Sequence, residues 1–226
     1  MKDYLYISLK GDDVVARFSI QEDGSLSERA DLPIAGGPGP MAVALLSKKY
    51  FFIGLRESSE LVCMRLLKDG GFSLSGKVSL PSDPCFLEID KEGRYVFSTY
   101  YMAGQVAVHC WDETKGSLTE VQRLDTEPKA HSIRLAKSGR YAYAMHTGPN
   151  KIYLYTFDPE TGYLTPRDSL WIVPKTGIEP RHSCHHPSLP CLYVIGELGC
   201  VLHVYDCNED TGDIVLKQSK IGRAHV

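Results

Sequence analysis

The chain has 226 residues, of which 43% are hydrophobic and 23% are charged, and its net charge at pH 7 is −3. This length and composition predict a globular protein with a sizeable core and exclude an intrinsically disordered chain. No run of Lys and Arg exceeds two residues, so the charge pattern argues against nucleic acid and against anionic membranes as partners.

The N-terminal stretch MKDYLYISL enters a strand pattern at Tyr4 and lacks the apolar core and cleavage site of a signal peptide. No apolar run approaches the roughly 18 residues that a transmembrane helix needs. The seven cysteines form no CxxC pair, and several alternate within strand patterns, where a free cysteine packs as a small hydrophobe. We therefore expect a cytoplasmic protein without a disulfide framework.

One pattern recurs along the whole chain: a turn, a strand, a short loop, a second strand and an acidic turn. The first copy is partial and the next four are complete, over residues 4–24, 47–71, 92–116, 138–162 and 188–212. The turn glycines that close the copies lie 45 to 50 residues apart, at Gly24, Gly71, Gly116, Gly162 and Gly212. A repeat of this period, made of several short strands, is typical of β-propellers and related β-repeats.

Each complete repeat is predicted to hold four strands, which we call A to D, with A nearest the centre of the propeller. Strand A precedes the recurring pattern, at residues 41–46, 85–90, 131–136 and 181–186, and strand D follows it, for example at 164–172. The predicted blades lie near 4–32, 41–80, 85–126, 131–173 and 181–219. No amphipathic helix of ordinary length is present, so the fold class is all-β: a β-propeller of four-stranded blades.

The first blade begins at its strand B, and no C-terminal strand A completes it. An unclosed ring leaves sheet edges and an apolar flank exposed, which propellers normally avoid by closing. The last residues, 221–226, read IGRAHV and carry no continuation of the repeat. We expect this segment to be a non-native tail of a truncated gene model; a true short terminus is the alternative.

Functional residues are expected on one face of the propeller. The connections from D to A and from B to C emerge on the same face, so residues at the start of A and just after B should converge at one mouth of the central channel. Several of these positions are ionisable or aromatic in one blade and apolar in another, which indicates a site: Arg56, Tyr101, His131, His146, Arg181, His182 and Glu197.

Two long segments, 128–164 and 178–212, resemble the lactonase family of seven-bladed β-propellers, which includes bacterial 6-phosphogluconolactonase and a fungal carboxymuconate-cyclising enzyme. The likeness extends over about residues 2–218. Its most specific parts are His131-Ser132, Pro180-Arg181-His182 with the following His-Pro, and Gly196-Glu197-Leu198. The resemblance implies an incomplete ring of roughly five of seven blades.

The resemblance also implies roles for individual residues. His131, Arg181 and Glu197 match the family's proposed catalytic residues, and a further arginine of the family would lie beyond residue 226. Two departures affect the substrate: His146 stands where relatives often have Asp, and Tyr101-Met102 replaces a more usual Tyr-Asn. The remaining candidates are assigned to substrate binding: Arg56, Tyr101, Ser132, His146 and His182.

These residue types suit the opening of a lactone. The reaction needs an activated water, a donor for the developing oxyanion and a group that protonates the leaving alkoxide. Glu197 or His131 could be the base, and Arg181 could hold the carbonyl oxygen or a substrate carboxylate or phosphate. No cofactor or metal is expected, because His182, Cys184 and His186, although at i, i+2 and i+4 along one strand, fit a turn anchor better.

The principal hypothesis is hydrolysis of a sugar-acid lactone, most simply of the 6-phosphogluconolactone type, in carbohydrate metabolism and the pentose phosphate pathway. A non-catalytic propeller that binds a small ligand or a protein partner is the alternative, since one fold hosts many functions. Cyclisation of a carboxymuconate in the same pocket is a further alternative. The expected partner is a small lactone, and the oligomeric state is open.

Overall fold

A computed structural model describes residues 3–27, 29–44, 49–172 and 177–222 of the chain. Within those ranges the chain is almost entirely β-structure, and its one helical element is a single 3-10 turn, Lys10–Asp12. No helix in the described part is long and apolar enough to cross a membrane. The strands are β1 Asp3–Leu9, β2 Val14–Ile20, β3 Ala30–Pro33, β4 Pro38–Val43, β5 Tyr50–Leu55, β6 Glu60–Leu66, β7 Phe72–Ser79, β8 Phe86–Ile89, β9 Tyr95–Tyr100, β10 Gln105–Asp112, β11 Ser117–Asp125, β12 Ala130–Leu135, β13 Tyr141–His146, β14 Lys151–Phe157, β15 Leu164–Ile172, β16 Pro180–His185, β17 Cys191–Gly196, β18 Val201–Cys207 and β19 Ile214–Ile221.

The strands form five sheets, each built from strands that are consecutive in sequence. The first sheet has the order β1-β2-β3, and the other four have the orders β4-β5-β6-β7, β8-β9-β10-β11, β12-β13-β14-β15 and β16-β17-β18-β19. This is the arrangement of propeller blades, with each strand next to its sequence neighbour. The first sheet holds three strands in the described residues.

The recurring acidic turn joins strand C to strand D and is held by its own side chain. Asp158 Oδ1 accepts a hydrogen bond from the Glu160 backbone N at 2.9 Å, and Gly162 follows with a positive φ of 82°. Asn208 makes the same contacts in the next blade, with Gly212 at φ 75°. These turns need an Asx side chain at the start and a glycine at the end, which is why the glycines mark the repeat.

The chain divides into two compact units. The first comprises the residues up to Val96 together with Trp111–Thr119, and the second comprises Phe97–Cys110 and the residues from Glu120 onward. The first unit has a core cluster between neighbouring sheets, formed by Val15, Ile34, Phe51, Ile53, Leu55, Val62 and Met64. The second has a larger one, formed by Ala136, Tyr143, Met145, Ile152, Leu154, Leu192, Val194, Tyr205, Cys207 and Ile214. Burying each large apolar side chain stabilises the fold by about 1.5 to 3 kcal/mol.

The bounds of some elements differ from those the sequence predicts. Strand β4 begins at Pro38, three residues earlier than expected, because a register shift between Pro38 and Met41 lets the pairing with β5 continue past Gly39. Strand β19 includes Ile221, and the Gly222 N donates to the Cys200 carbonyl at 2.7 Å. Strand β19 thus extends one residue past Lys220, the predicted end of the repeat. Residues 45–46, 173 and 223–226, to which the sequence predictions also refer, lie outside the described residues.

Candidate active site

His131 and Arg181 are each the extra residue of a β-bulge near the start of an inner strand. In β12, Ala130 pairs with His146 and Ser132 pairs with Met145, so His131 is the extra residue inserted between the two pairs. In β16, Pro180 pairs with Gly196 and His182 pairs with Ile195, so Arg181 is likewise the extra residue. A bulge bends its strand and re-aims the side chain that it carries, which is why bulges are common beside active sites. Both bulges lie in the second unit.

A left-handed residue stands two positions before each bulge. Lys129 has φ 64° and Glu179 has φ 53°, a conformation that costs a residue other than glycine roughly 1 to 3 kcal/mol. The Lys129 carbonyl accepts a hydrogen bond from Thr147 N at 3.2 Å, and the Glu179 carbonyl accepts one from Glu197 N at 2.9 Å. This turn ties the start of strand A to the residue that follows strand B. It therefore holds Glu197 next to the segment that carries Arg181.

Arg181 and Glu197 form a loose ion pair. The Arg181 Nε lies 3.9 Å from Glu197 Oε2, and the two side chains are 43% and 39% exposed. An exposed pair of this kind contributes little to stability, about 0 to 1 kcal/mol. Both charged groups therefore remain accessible to a solute. A ligand could form an ion pair with either of them at a small cost in free energy.

Three rings form a row beside this ion pair. The His131 ring meets Tyr101 edge to face with centroids 5.7 Å apart, and it meets His182 in the same way at 4.8 Å. His131 is only 8% exposed, whereas Tyr101 and His182 are half-buried. Burial, with help from the nearby Arg181 and Arg134 charges, lowers the pKa of His182, so this imidazole is neutral at pH 7.

Ser132 lies beneath the site rather than on its surface. Its side chain is buried, and its hydroxyl donates to the Arg181 carbonyl oxygen at 2.6 Å. Two residues further along β12, Arg134 Nη2 donates to the Ser183 carbonyl at 3.0 Å. These bonds join the inner strands β12 and β16 side by side. The structure thus gives Ser132 a contact with the backbone of Arg181, and its assignment to substrate binding stays a prediction.

His146 is enclosed in the protein. It has no exposed surface, its Nε2 lies 2.9 Å from Thr126 Oγ1, and its ring packs on Tyr153 with centroids 4.6 Å apart. Burial lowers the pKa of His146 to about 4. The assignment of His146 to substrate binding stays a prediction. The contacts described here are with Thr126 and Tyr153.

Arg56 belongs to the first unit and occupies the blade position that corresponds to Glu197. Its backbone N donates to the Gly37 carbonyl at 2.8 Å, and its Nη2 lies 2.6 Å from Asp83 Oδ2. A Cβ on Gly39 would lie 2.7 Å from Arg56 Cγ, so the glycine makes room for the arginine side chain.

His185, at the end of β16, and His186, which follows it, make contacts within the protein. His186 Nδ1 accepts hydrogen bonds from Ser188 N at 3.1 Å and from Leu189 N at 2.9 Å, which confirms that it anchors a turn. His185 Nε2 lies 2.9 Å from the Leu135 carbonyl. Across the described ranges, no group of three or more His, Cys, Asp and Glu side chains is arranged to hold a metal ion.

The second unit therefore brings together an imidazole, a guanidinium and a carboxylate. Of the sequence-predicted candidates, it joins Tyr101, His131 and His182 through ring contacts and Arg181 with Glu197 through charge. The sequence did not indicate the bulges or the left-handed residues Lys129 and Glu179. Thr147, the counterpart of Glu197 in the preceding blade, is buried. A one-residue bulge shifts the inward and outward alternation of side chains, but each of these bulges stands at the second residue of its strand, where too little of the strand precedes it for the shift to be seen in the sequence.

Several known proteins are similar to this chain in sequence. A family model described as "Lactonase, 7-bladed beta-propeller" matches residues 38–222. A protein of Klebsiella pneumoniae (strain 342) named 6-phosphogluconolactonase is 27% identical over 222 residues, covering 97% of this chain and 66% of its own length. A protein of the same name from Yersinia pestis (strain Pestoides F) is 25% identical over 219 residues, with coverage of 97% and 65%.

A solved structure has the same fold. The structure titled as the periplasmic gluconolactonase PpgL of Pseudomonas aeruginosa superposes with a TM-score of 0.83 at 20% identity, covering 100% of this chain and 69% of that one. At this identity the likeness concerns the fold, which is a β-propeller. The chain spans 65% of the length of its Yersinia relative, and its described part holds five of the blades.

Proposed function

Because the chain belongs to the lactonase family of seven-bladed β-propellers, we propose that it carries the catalytic face of an enzyme that hydrolyses a sugar-acid lactone. The names of the Klebsiella and Yersinia relatives support 6-phosphogluconolactone as the first substrate to test. The single observation that carries the proposal is the bulge pair, which presents His131 and Arg181 from neighbouring inner strands with Glu197 beside them.

In the proposed reaction, His131 acts on water and Arg181 acts on the lactone carbonyl. The imidazole takes a proton as the water oxygen attacks the carbonyl carbon, and the guanidinium donates to the oxyanion that forms. The ring carbon–oxygen bond then breaks, and the leaving alkoxide takes the proton back from His131. One lactone and one water give one hydroxy acid, which loses its proton to solvent.

Glu197 is proposed to orient Arg181 in this scheme. Its carboxylate lies 3.9 Å from Arg181 Nε and so favours one direction of the guanidinium fork, leaving the other nitrogens for substrate. We propose His131 rather than Glu197 as the base for this reason. Imidazole also exchanges protons near neutral pH, where the reaction would run. A lactone is already activated, so this limited machinery is sufficient.

The cellular setting is part of the same proposal. The exposed Cys184 and Cys200 form no disulfide. Free exposed thiols support a reducing compartment, and we propose the cytoplasm. A reaction that removes a sugar lactone in carbohydrate metabolism is consistent with that location.

The test is a lactonase assay in which the spontaneous opening of the substrate is subtracted. Acid release from 6-phosphogluconolactone and from δ-gluconolactone is followed at pH 7 with a pH indicator. The assay uses the 226-residue chain and also the product of the gene resequenced past the codon for Lys220. Acceleration over buffer that disappears in Arg181→Ala supports the proposal. If both forms of the protein bind the lactone saturably but do not accelerate its opening, the lactonase proposal is wrong and the protein is a binding propeller.

A further inference from the structure

The turn between strands B and C contains a left-handed residue in every blade. The φ angles are 53°, 51°, 64°, 55° and 48° at Asp13, Ser59, Gly104, Asn150 and Cys200. Glycine adopts this conformation without strain, and Asn and Asp tolerate it better than other residues do. The turn therefore favours glycine, Asn and Asp at this position, and in two of the blades an Asn or Asp side chain there makes a further contact.

Asn150 reaches from its turn to the connection that leads into the next blade. Its Oδ1 accepts hydrogen bonds from Ile178 N at 3.1 Å and from Glu179 N at 2.9 Å. The carbonyls of the same two residues accept hydrogen bonds from Leu198 N at 3.2 Å and from Glu197 N at 2.9 Å. One amide oxygen thus holds both residues of a short segment, which in turn holds the backbone of Glu197.

The held segment leads directly into the Arg181 bulge. Glu179 is the left-handed residue of that segment, Pro180 follows it, and Arg181 is the unpaired residue. The left-handed conformation of Glu179 is strained, so a contact that holds its N–H reduces the freedom of this segment to relax. Asn150, which lies in the neighbouring blade, consequently restricts the backbone positions of the two charged residues of the candidate site, Arg181 and Glu197.

The chain contains a second copy of this contact, in its first unit. Asp13 Oδ1 accepts a hydrogen bond from Gly37 N at 2.8 Å, and the Gly37 carbonyl accepts one from Arg56 N at 2.8 Å. Asp13, Gly37 and Arg56 correspond in the repeat to Asn150, Glu179 and Glu197. At the same turn position of the intervening third blade stands Gly104, which has no side chain to offer. The contact is therefore made in particular blades and is not required by the turn.

We propose that Asn150 is a positioning residue for catalysis: its side-chain oxygen fixes the 178–179 segment and thereby sets the relative placement of Arg181 and Glu197. This inference rests on the proposed function for its effect on rate, but the contact itself is independent of it. Arg181 and Glu197 act on the developing charge, so their misplacement should lower kcat more than it raises KM.

The chain itself supplies the variants that test the proposal. Asn150→Asp keeps an acceptor in the same place, as Asp13 does, and Asn150→Gly keeps the left-handed turn but removes the acceptor, as at Gly104. Ser59→Gly is the matched control, because it changes the same turn position in another blade. The three variants and the parent are compared for kcat, for KM and for backbone hydrogen exchange over residues 177–198, with thermal unfolding as the check on folding.

We expect Asn150→Gly to lower kcat about tenfold with KM changed less than about threefold, and to speed exchange at the Ile178, Glu179 and Glu197 amides. We expect Asn150→Asp and Ser59→Gly to match the parent in both measurements. Wild-type kcat and wild-type exchange in Asn150→Gly would overturn the proposal, as would an equal loss in Asn150→Asp. If the parent has no lactonase activity, the proposed function fails, and the exchange measurement alone decides whether Asn150 holds the segment.

Discussion

His131 and Arg181 occupy the same position in consecutive blades, each as the extra residue of a bulge in an inner strand. The Ser132 hydroxyl joins the two positions by donating to the Arg181 carbonyl at 2.6 Å. Because the fold repeats, the same bulge occurs in two neighbouring blades and places two side chains of the candidate site next to each other. The residue type at each position then supplies the chemistry, imidazole in one blade and guanidinium in the next.

Replacing Arg181 tests the oxyanion role directly. Removing one oxyanion donor typically lowers kcat by about a hundredfold or more, so we expect that loss in Arg181→Ala and a smaller one in Arg181→Lys, which keeps the charge but not the planar fork. The Arg181 side chain is 43% exposed, so the free energy of unfolding should change by less than about 1 kcal/mol. Steady-state kinetics and urea unfolding of the three proteins check both expectations. Full activity in Arg181→Ala would exclude this role.

The pH dependence of kcat/KM separates the two candidate bases. If His131 is the base, His131→Gln should remove most of the activity together with the acid limb of the profile. Glu197→Gln should lower the rate but keep the limb, since it removes only the partner of Arg181. The profile is measured from pH 5 to 8 on 6-phosphogluconolactone. Loss of the acid limb in Glu197→Gln alone would assign the base to Glu197.

The sequence predicted the blades well because their signals are local. Alternating aromatic and branched residues mark strands such as Tyr141–His146, and the Asx side chains at Asp158 and Asn208 mark the turns. The strand that opens the first sheet could also be counted from the repeat. These features depend on residue type and spacing, which an amino-acid sequence displays directly.

The site was less accessible to sequence reasoning. Candidates at the strand ends could be named, but Ser132 and His146 turned out to lie within the protein. The bulge at His131 changes which side chains of β12 face outward, and His146 lies on a strand whose residues are buried on both faces. Asn150 looked like an ordinary turn residue. Its contact with Glu179 joins positions 29 residues apart, and neither periodicity nor composition reports such a long-range hydrogen bond.

Gly196 is required by a close approach of two backbone segments. A Cβ at this position would meet the Ile178 carbonyl oxygen, an atom that cannot rotate away as a side chain would. Gly196→Ala should therefore push the 178–180 segment outward, lower kcat about tenfold or more by misplacing Arg181, and reduce the melting temperature.

Gly177→Ala is the matched control for Gly196→Ala. It lies in the same connection and nothing stands within 4 Å of its added Cβ, so its kcat and melting temperature should equal those of the parent. The two variants are compared by kinetics and by thermal unfolding. Parent-like kcat in Gly196→Ala would show that this approach does not control the site.

Two buried histidines of the second unit predict that stability falls in mild acid. Burial lowers the pKa of His109 and of His146 to about 4, whereas an unfolded chain titrates histidine near pH 6.5. The folded state therefore binds fewer protons than the unfolded state between these values, and the free energy of unfolding decreases as the pH falls through that window. Each histidine should account for about 1 kcal/mol of the loss between pH 7.5 and 5.5.

His146→Gln removes one of these titrations and leaves the other. The amide is neutral at every pH and can still bond Thr126 Oγ1, which lies 2.9 Å from His146 Nε2. Urea midpoints at pH 7.5 and 5.5 are compared for the parent and the variant, with the unfolding slope held common. We expect the variant to lose about 1 kcal/mol less than the parent on acidification, even if it is less stable at pH 7.5. Equal losses in the two proteins would mean that His146 is protonated in the folded state as readily as in the unfolded chain.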